Sequence, residues 1–201
     1  MDPNAIVNRV IRLARFDTTV FDEVRDDTQE LIPALIVLAV SALLAGLGAA
    51  LHWAIVPGAF LDGLDNNWVN NFILGSIFFA VMYVVAGLVV YVVMAQMYRV
   101  TADVQSLLRT MGYGSIPFAA SVLMFVPVLW PLFAIVPLAL LFVMMIYAVQ
   151  SATNADSTQV VISSTIGFSV MVLVLGLIAL QHGTGDYPIG AGFFGVLFDW
   201  S

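Results

Sequence analysis

From Ile116 to Gln150 the chain runs thirty-five residues without a charged side chain, and four of them are proline: Pro117, Pro127, Pro131 and Pro137. As one α-helix this stretch would extend about 50 Å, against a bilayer hydrocarbon core of about 30 Å. Divided in two, it gives crossings of about seventeen residues each, at the short end of what spans a membrane. The segment Pro127-Val-Leu-Trp-Pro131 sits near the middle. Proline costs little where the chain is already turning, because the freed carbonyls face headgroups or water. The prolines therefore mark the ends of two undersized helices. Pro117 belongs to the entry turn of the first, Pro127 and Pro131 to the hairpin, and Trp130 to the interface that indole prefers. Pro137 falls early in the returning helix and is expected to kink it modestly.

Three further apolar runs have the length of a crossing: Leu31–Trp53, with Pro33 in its first turn, Phe72–Met97 and Val160–Leu180. The expected fold is an all-α polytopic membrane bundle of five transmembrane helices. Composition agrees: 62% of residues are hydrophobic and 9% charged, where a soluble domain is about a quarter charged. The chain has no cysteine, which excludes disulfides, thiolate metal sites and cysteine nucleophiles. All six basic residues are arginine, so Schiff-base lysine chemistry is excluded as well. A net charge of −7 argues against nucleic acid as a partner.

Residues 1–30 read as a cytoplasmic amphipathic and acidic segment, 31–180 as the membrane domain and 181–201 as an external aromatic tail. The first thirty residues lack the continuous apolar core of a signal peptide, so the first span is expected to act as an uncleaved signal. In AIVNRVIRLARF, residues 5–16, Ile6, Val10, Leu13 and Ala14 share one helical face, and Arg9, Arg12 and Arg15 recur beside them. Such a helix is expected to lie in the headgroup layer, with its arginines as candidate contacts to anionic lipid; its plain reading is a solvated helix that caps the first span. Five acids follow within nine residues: Asp22, Glu23, Asp26, Asp27 and Glu30. Their plain reading is a solvated face. Asp22, Glu23, Asp26 and Asp27 are also candidates for docking a basic partner, and their spacing does not match a calcium loop.

Orientation follows from the arginines. The N-terminal segment holds Arg9, Arg12, Arg15 and Arg25, and the loop 98–112 holds Arg99 and Arg109. In a five-crossing chain both lie on one side. The loop 54–71, with Asp62 and Asp65, and the tail, with Asp186 and Asp199, carry acids and no base. The positive-inside rule puts the N-terminus in the cytoplasm and the C-terminus outside, in the cell membrane.

Chemistry-bearing residues are sparse. His52 and His182 flank the first and last spans, and two histidines without a third ligand read as interfacial. Gln96 and Gln150 read as interhelical hydrogen-bonding groups. Ala42, Gly46 and Ala50 have the small-xxx-small spacing that lets helices approach, within the chain or between subunits. The tail gathers Phe193, Phe194, Phe198 and Trp200 among glycines and is expected on the outer interface or against another subunit. No nucleophile–base pair, phosphate loop or haem-attachment sequence is present, so no cofactor, no metal and no enzymatic activity are expected.

The layout has a counterpart. An acidic FxEVxDD stretch at Phe21–Asp27, the run Gly112-Tyr113-x-x-x-Pro117, the proline-marked hairpin and the polar linker YAVQSATNADSTQ at 147–159 together resemble the YIP1 family of Yip1-domain membrane proteins, particularly its bacterial members. The resemblance covers roughly residues 15–180. It implies five membrane helices, a cytosolic N-terminus and a short exposed C-terminus. Eukaryotic relatives are linked to vesicle traffic and Rab-type GTPases, so GTPase binding is implied by analogy alone. The matching residues Gly112, Tyr113 and Pro117 are candidates for shaping the entry of the third span or for contacting a partner. In that reading glycine frees the backbone, tyrosine anchors at the headgroups and proline starts the helix. The expected function is a non-enzymatic scaffold or membrane-organising protein that binds lipid, other membrane proteins or itself. The alternatives are an accessory subunit of a larger energy-transducing complex and a small permease or channel subunit.

Overall fold

The structure, a computed structural model, describes residues 3–55, 68–180 and 192–198. Among these residues helix is the only regular element. Lipid offers the backbone no hydrogen bonds, so a membrane segment must satisfy its own N–H and C=O groups. In chain order the elements are α1 (Pro3–Ala14), α2 (Val20–Asp26), a 3-10 turn (Thr28–Glu30) and α3 (Leu31–Ile55). A π-helical turn (Trp68–Leu74) then leads into α4 (Gly75–Met97), followed by α5 (Val104–Gly114) and a 3-10 helix (Ile116–Phe125). The chain ends with α6 (Trp130–Thr153), α7 (Ser157–Leu180) and α8 (Gly192–Phe198).

Four stretches are long and apolar enough to cross a bilayer: Thr28–Ile55, Phe72–Met97, Trp130–Thr153 and Ser157–Ala179. They coincide with the first, second, fourth and fifth of the expected spans. The third differs. The chain does turn at residues 126–129, and α6 opens at Trp130 with Pro131 in its first turn. The two halves are nonetheless unequal: ten residues of 3-10 helix against 24 of α-helix. A 3-10 helix rises about 2.0 Å per residue against 1.5 Å in an α-helix. Ten residues then reach about 20 Å rather than about 15 Å, so the tighter coil stretches a short segment further.

Two ends of the bundle can be told apart by what meets there. At one end the starts of α3 and the 3-10 helix lie together: the Tyr113 hydroxyl donates to Glu30 Oε2 at 2.7 Å. At the other, His52 Nδ1 lies 3.2 Å from the Met124 carbonyl oxygen, and its ring is 5.4 Å from that of Trp130. Residues 113–124 therefore run alongside α3 from the first end to the second, and α6 returns to the first.

α3 is the hub. Ser41, Ala42, Ala45, Gly46, Gly48, Ala49 and Ala50 are all buried, so the small-residue face is used within the chain. A Cβ on Gly48 would lie 2.2 Å from the Ser121 carbonyl oxygen, and one on Gly112 would lie 2.6 Å from the Ala34 carbonyl oxygen. These two glycines let the α5/3-10 segment pass backbone to backbone along α3. Gly167 does the same for α7 against Ala86 of α4. Pro137 lies inside α6 and is buried.

The tail departs from expectation. Phe193 and Phe194 of α8 are buried in the bundle rather than spread on its surface. Phe193 meets Phe118 with ring centroids 4.8 Å apart, and Phe118 stacks on Phe79 at 4.0 Å. Ring-on-ring contact has a defined geometry that mobile lipid tails do not reproduce. The positions Asp62, Asp65, His182, Asp186, Asp199 and Trp200 lie outside the described residues.

Candidate functional site: a polar cap

Charged side chains gather at the first end, where α1 and α2 fold over α5 and the end of α6. Apolar contact holds this cap down. Leu13 of α1 is buried, and Val20, Phe21 and Val24 of α2 have no exposed surface. Burying a side chain such as Phe21 is worth about 2–3 kcal/mol.

Polar contacts then fix its position. Glu30 is the innermost joint. One of its oxygens pairs with Arg9 Nη1 of α1 and the other accepts from Tyr113 of α5, with Glu30 itself only 9% exposed. Burial works against the charge on Arg9, and the Glu30 carboxylate outweighs it, so the guanidinium is held protonated more firmly than in water.

Arg25 is a second joint. It grips Asp26 through two bonds of 2.8 Å and donates to the Ser151 carbonyl oxygen of α6 at 3.1 Å. The Ser151 hydroxyl donates to Asp22 at 2.7 Å. The Arg25 carbonyl oxygen accepts from Arg109 Nη2 at 2.7 Å and from the Ser106 hydroxyl at 3.3 Å. The end of α2 is thus tied to α5 and α6 at once.

Arg12 is the third. Its guanidinium donates to Asp17 at 2.8 Å, to Thr19 at 3.0 Å and to Glu23 at 3.0 Å. Thr19, followed by Arg12, holds the Asp17 carboxyl below the usual carboxylate range. Arg25 does the same for Asp26. For Asp103 the chief cause is the Ser106 backbone N–H, with which it caps α5.

The expected site residues fall as follows. Arg9 and Arg12 face carboxylates of their own chain, while Arg15 is exposed. Asp22, Glu23 and Asp26 are paired with arginines, and Asp27 accepts from the Gln29 backbone N–H. Gly112 is the close approach to Ala34. Tyr113 is not at a headgroup surface: it is fully buried, with its hydroxyl on Glu30. Pro117 opens the 3-10 helix, as its missing N–H allows.

Two sequence readings need correction. Glu30 is not part of a solvated acidic face, because α1 and α5 close over it. Arg109, in the segment between the second and third expected spans, is not open to solvent; it is 3% exposed inside the cap. The residues that spacing did not single out are Glu30, Arg25, Ser106, Arg109 and Ser151. The available signal was position: Glu30 stands directly before the first apolar run, and Ser151 lies in the polar linker. Gln96 is exposed, and Gln150 donates to the Ala155 carbonyl oxygen at 2.8 Å in the turn that follows its own helix. Among the described residues, no three His, Cys, Asp or Glu side chains stand where they could hold a metal.

The sequence pattern of one family, described as the Yip1 domain, matches residues 15–180. No curated protein and no solved structure matches the chain. The matched stretch runs from the residue after α1 to the end of α7, and so includes Glu30, Gly112, Tyr113 and Pro117.

Proposed function

This chain is a multi-pass membrane protein of the Yip1-domain family, and from that premise we propose a non-enzymatic, membrane-organising role. It would act as a scaffold in the cell membrane that binds other membrane proteins, lipid or its own copies. The observation that carries this reading is the segregation of charge. The arginines and acids of the cap are largely spent on one another, while the spans turn apolar side chains such as Ile36, Val81, Val92, Leu173 and Leu177 outward. A surface of that kind suits contact with lipid and other helices. Among the described residues, the buried hydroxyls without a partner are those of Tyr83, Ser121, Ser163 and Ser164.

The same reading has five crossings. Its support is the course of residues 113–124 from the cap end to the far end, with α6 returning. Cap arginines on one side favour a cytosolic N-terminus and an external C-terminus. A basic partner docking at Asp22, Glu23, Asp26 or Asp27 would have to compete with Arg12 and Arg25. A second reading, an accessory subunit of a larger assembly, is favoured by one feature. Leu35, Leu38, Ala80, Val81, Val84 and Val85 line an apolar groove between α3 and α4 that would seat a helix of another subunit.

The test is cross-linking in native membranes followed by native electrophoresis. A discrete species larger than the monomer is the expected result. A lone monomer, together with solute flux in reconstituted vesicles, would overturn the organising role. A reporter at residue 201 that is active only in the cytosol should stay dark, and activity there would remove the fifth crossing.

A further inference from the structure

α1 has two apolar sides, and the bundle uses one. Ile6, Val10 and Leu13 pack inward. Val7 and Ile11, one turn apart, face outward and are 57% and 45% exposed. Phe16, just past the helix, is 57% exposed and holds a left-handed backbone with φ 61°. A large side chain in that conformation costs free energy, and in water Phe16 would add the cost of an exposed ring. Beside it stands Arg15. Arg9, Arg12, Arg25 and Arg109 each have a carboxylate within ion-pair distance, but the exposed Arg15 guanidinium has none among the described residues.

The height of α1 is set by Glu30. That residue lies in the first turn of the span Thr28–Ile55, directly before α3, and it pairs with Arg9 from the middle of α1. The Arg9–Glu30 pair therefore pins α1 at the boundary between hydrocarbon and water. α1 also packs on the opening of the 3-10 helix, where the chain enters the bundle. An outward face at that level meets headgroups.

We infer that α1 lies flat in the headgroup layer with Val7, Ile11 and Phe16 turned into the leaflet and Arg15 on the phosphates of anionic lipid, while Arg9 and Arg12 serve the protein. The lipid-facing side is thus adjacent to the arginine-bearing side that spacing suggested. Apolar insertion combined with a basic residue is the standard chemistry of an interfacial helix. This inference rests on the lipid-binding part of the proposed function and deepens it, since it names the face and the headgroup charge, and it would stand if no protein partner were found.

The chain has no cysteine, so V7C and I11C each take one spin label. The labelled full-length protein goes into nanodiscs of phosphatidylcholine, with or without phosphatidylglycerol. Collisions with oxygen and with a water-soluble nickel chelate report depth. Q105C, at the exposed start of α5, gives the water reference, and L173C, on the outer face of α7, gives the lipid reference. The expected oxygen-to-nickel ratio at residues 7 and 11 is severalfold above that at 105. Adding R15Q to I11C should lower the ratio in discs containing phosphatidylglycerol and leave it unchanged in neutral ones. A ratio at 7 and 11 equal to that at 105 overturns the inference. So does protection from both reagents, which would mean that protein covers the face. An R15Q effect that is absent, or identical in the two lipids, overturns the role of Arg15. None of these outcomes depends on whether cross-linking finds a protein partner.

Discussion

α3 is held by unlike means at Glu30 and at Gly48. At the cap, Glu30 is joined to Arg9 and Tyr113 by polar side chains. Toward the far end, Gly48 lies against the backbone of Ser121 and Val122 with no side chain between. A polar joint can be exchanged: water or a headgroup can replace either partner at modest net cost. A backbone approach cannot, because any added atom must displace the neighbouring helix. The Glu30 joint is thus suited to adjust, and the glycine contacts, at Gly48 and at Gly112 against Ala34, are suited to stay.

Breaking the Gly48 contact should have the largest effect. In Gly48→Val the first added carbon would sit 2.2 Å from the Ser121 carbonyl oxygen. Overpacking of this kind costs about 3 kcal/mol or more where the neighbour is backbone. The expected result is loss of the monodisperse protein in detergent, measured by size exclusion and thermal unfolding. A G48V protein with wild-type unfolding temperature would erase the contrast between the glycine contact and the polar joint.

The cap should yield less. Glu30→Ala strands Arg9 and the Tyr113 hydroxyl in a partly buried setting. A destabilisation of about 2 kcal/mol is expected, between the ranges for exposed and for buried pairs. Tyr113→Phe removes one hydrogen bond to the same carboxylate and should cost about 1.5 kcal/mol. Both proteins should still fold, with the loss of protection from proteolysis concentrated in residues 3–30. Equal loss across α7 would mean that the cap and the spans unfold as one body. Ser151→Ala tests the outer clip on Asp22, whose bond is exposed. No more than about 1 kcal/mol is expected, read as a small shift in the same unfolding curve.

The two ends were not equally legible in the sequence. The spans announce themselves because lipid demands long apolar runs, and Phe72–Met97 is recovered with the same bounds. The hairpin at Pro127–Pro131 is legible because proline marks a place where helices stop. That Ile116–Phe125 coils as a 3-10 helix is not, since its apolar residues suit either coil and the difference lies in how the backbone packs on α3. The cap was read in parts. Capping by Asp103, which the sequence reading missed, is local and carried a signal in its spacing. Pairing Arg9 with Glu30, or Asp22 with Ser151, joins residues far apart in sequence, and no periodicity encodes it. Tyr113 shows the limit well: a tyrosine at the mouth of a span usually goes to the interface, yet this one finds a buried carboxylate.

The smallest effect should come from acid, and it sharpens the contrast by acting on the cap alone. Asp17, Asp26 and Asp103 have carboxyl groups held below their ordinary range by Thr19, by Arg25 and by the Ser106 N–H respectively. In an unfolded chain an aspartate titrates near pH 4. A depressed pKa in the folded state stabilises at pH values above that, and the contribution disappears as pH falls through the lower folded value. All three lie in the cap or at its rim, and beyond Glu30, which belongs to the cap, the spans hold no ion-paired carboxylate among the described residues. Hydrogen exchange, corrected for its intrinsic pH dependence, should therefore show α1 and α2 losing protection as the pH drops below about 4 while α3, α6 and α7 keep theirs. The exposed setting of these groups keeps the change small. If α7 loosens in step with α1, acid acts on the bundle as a whole and the cap is no separate, adjustable part.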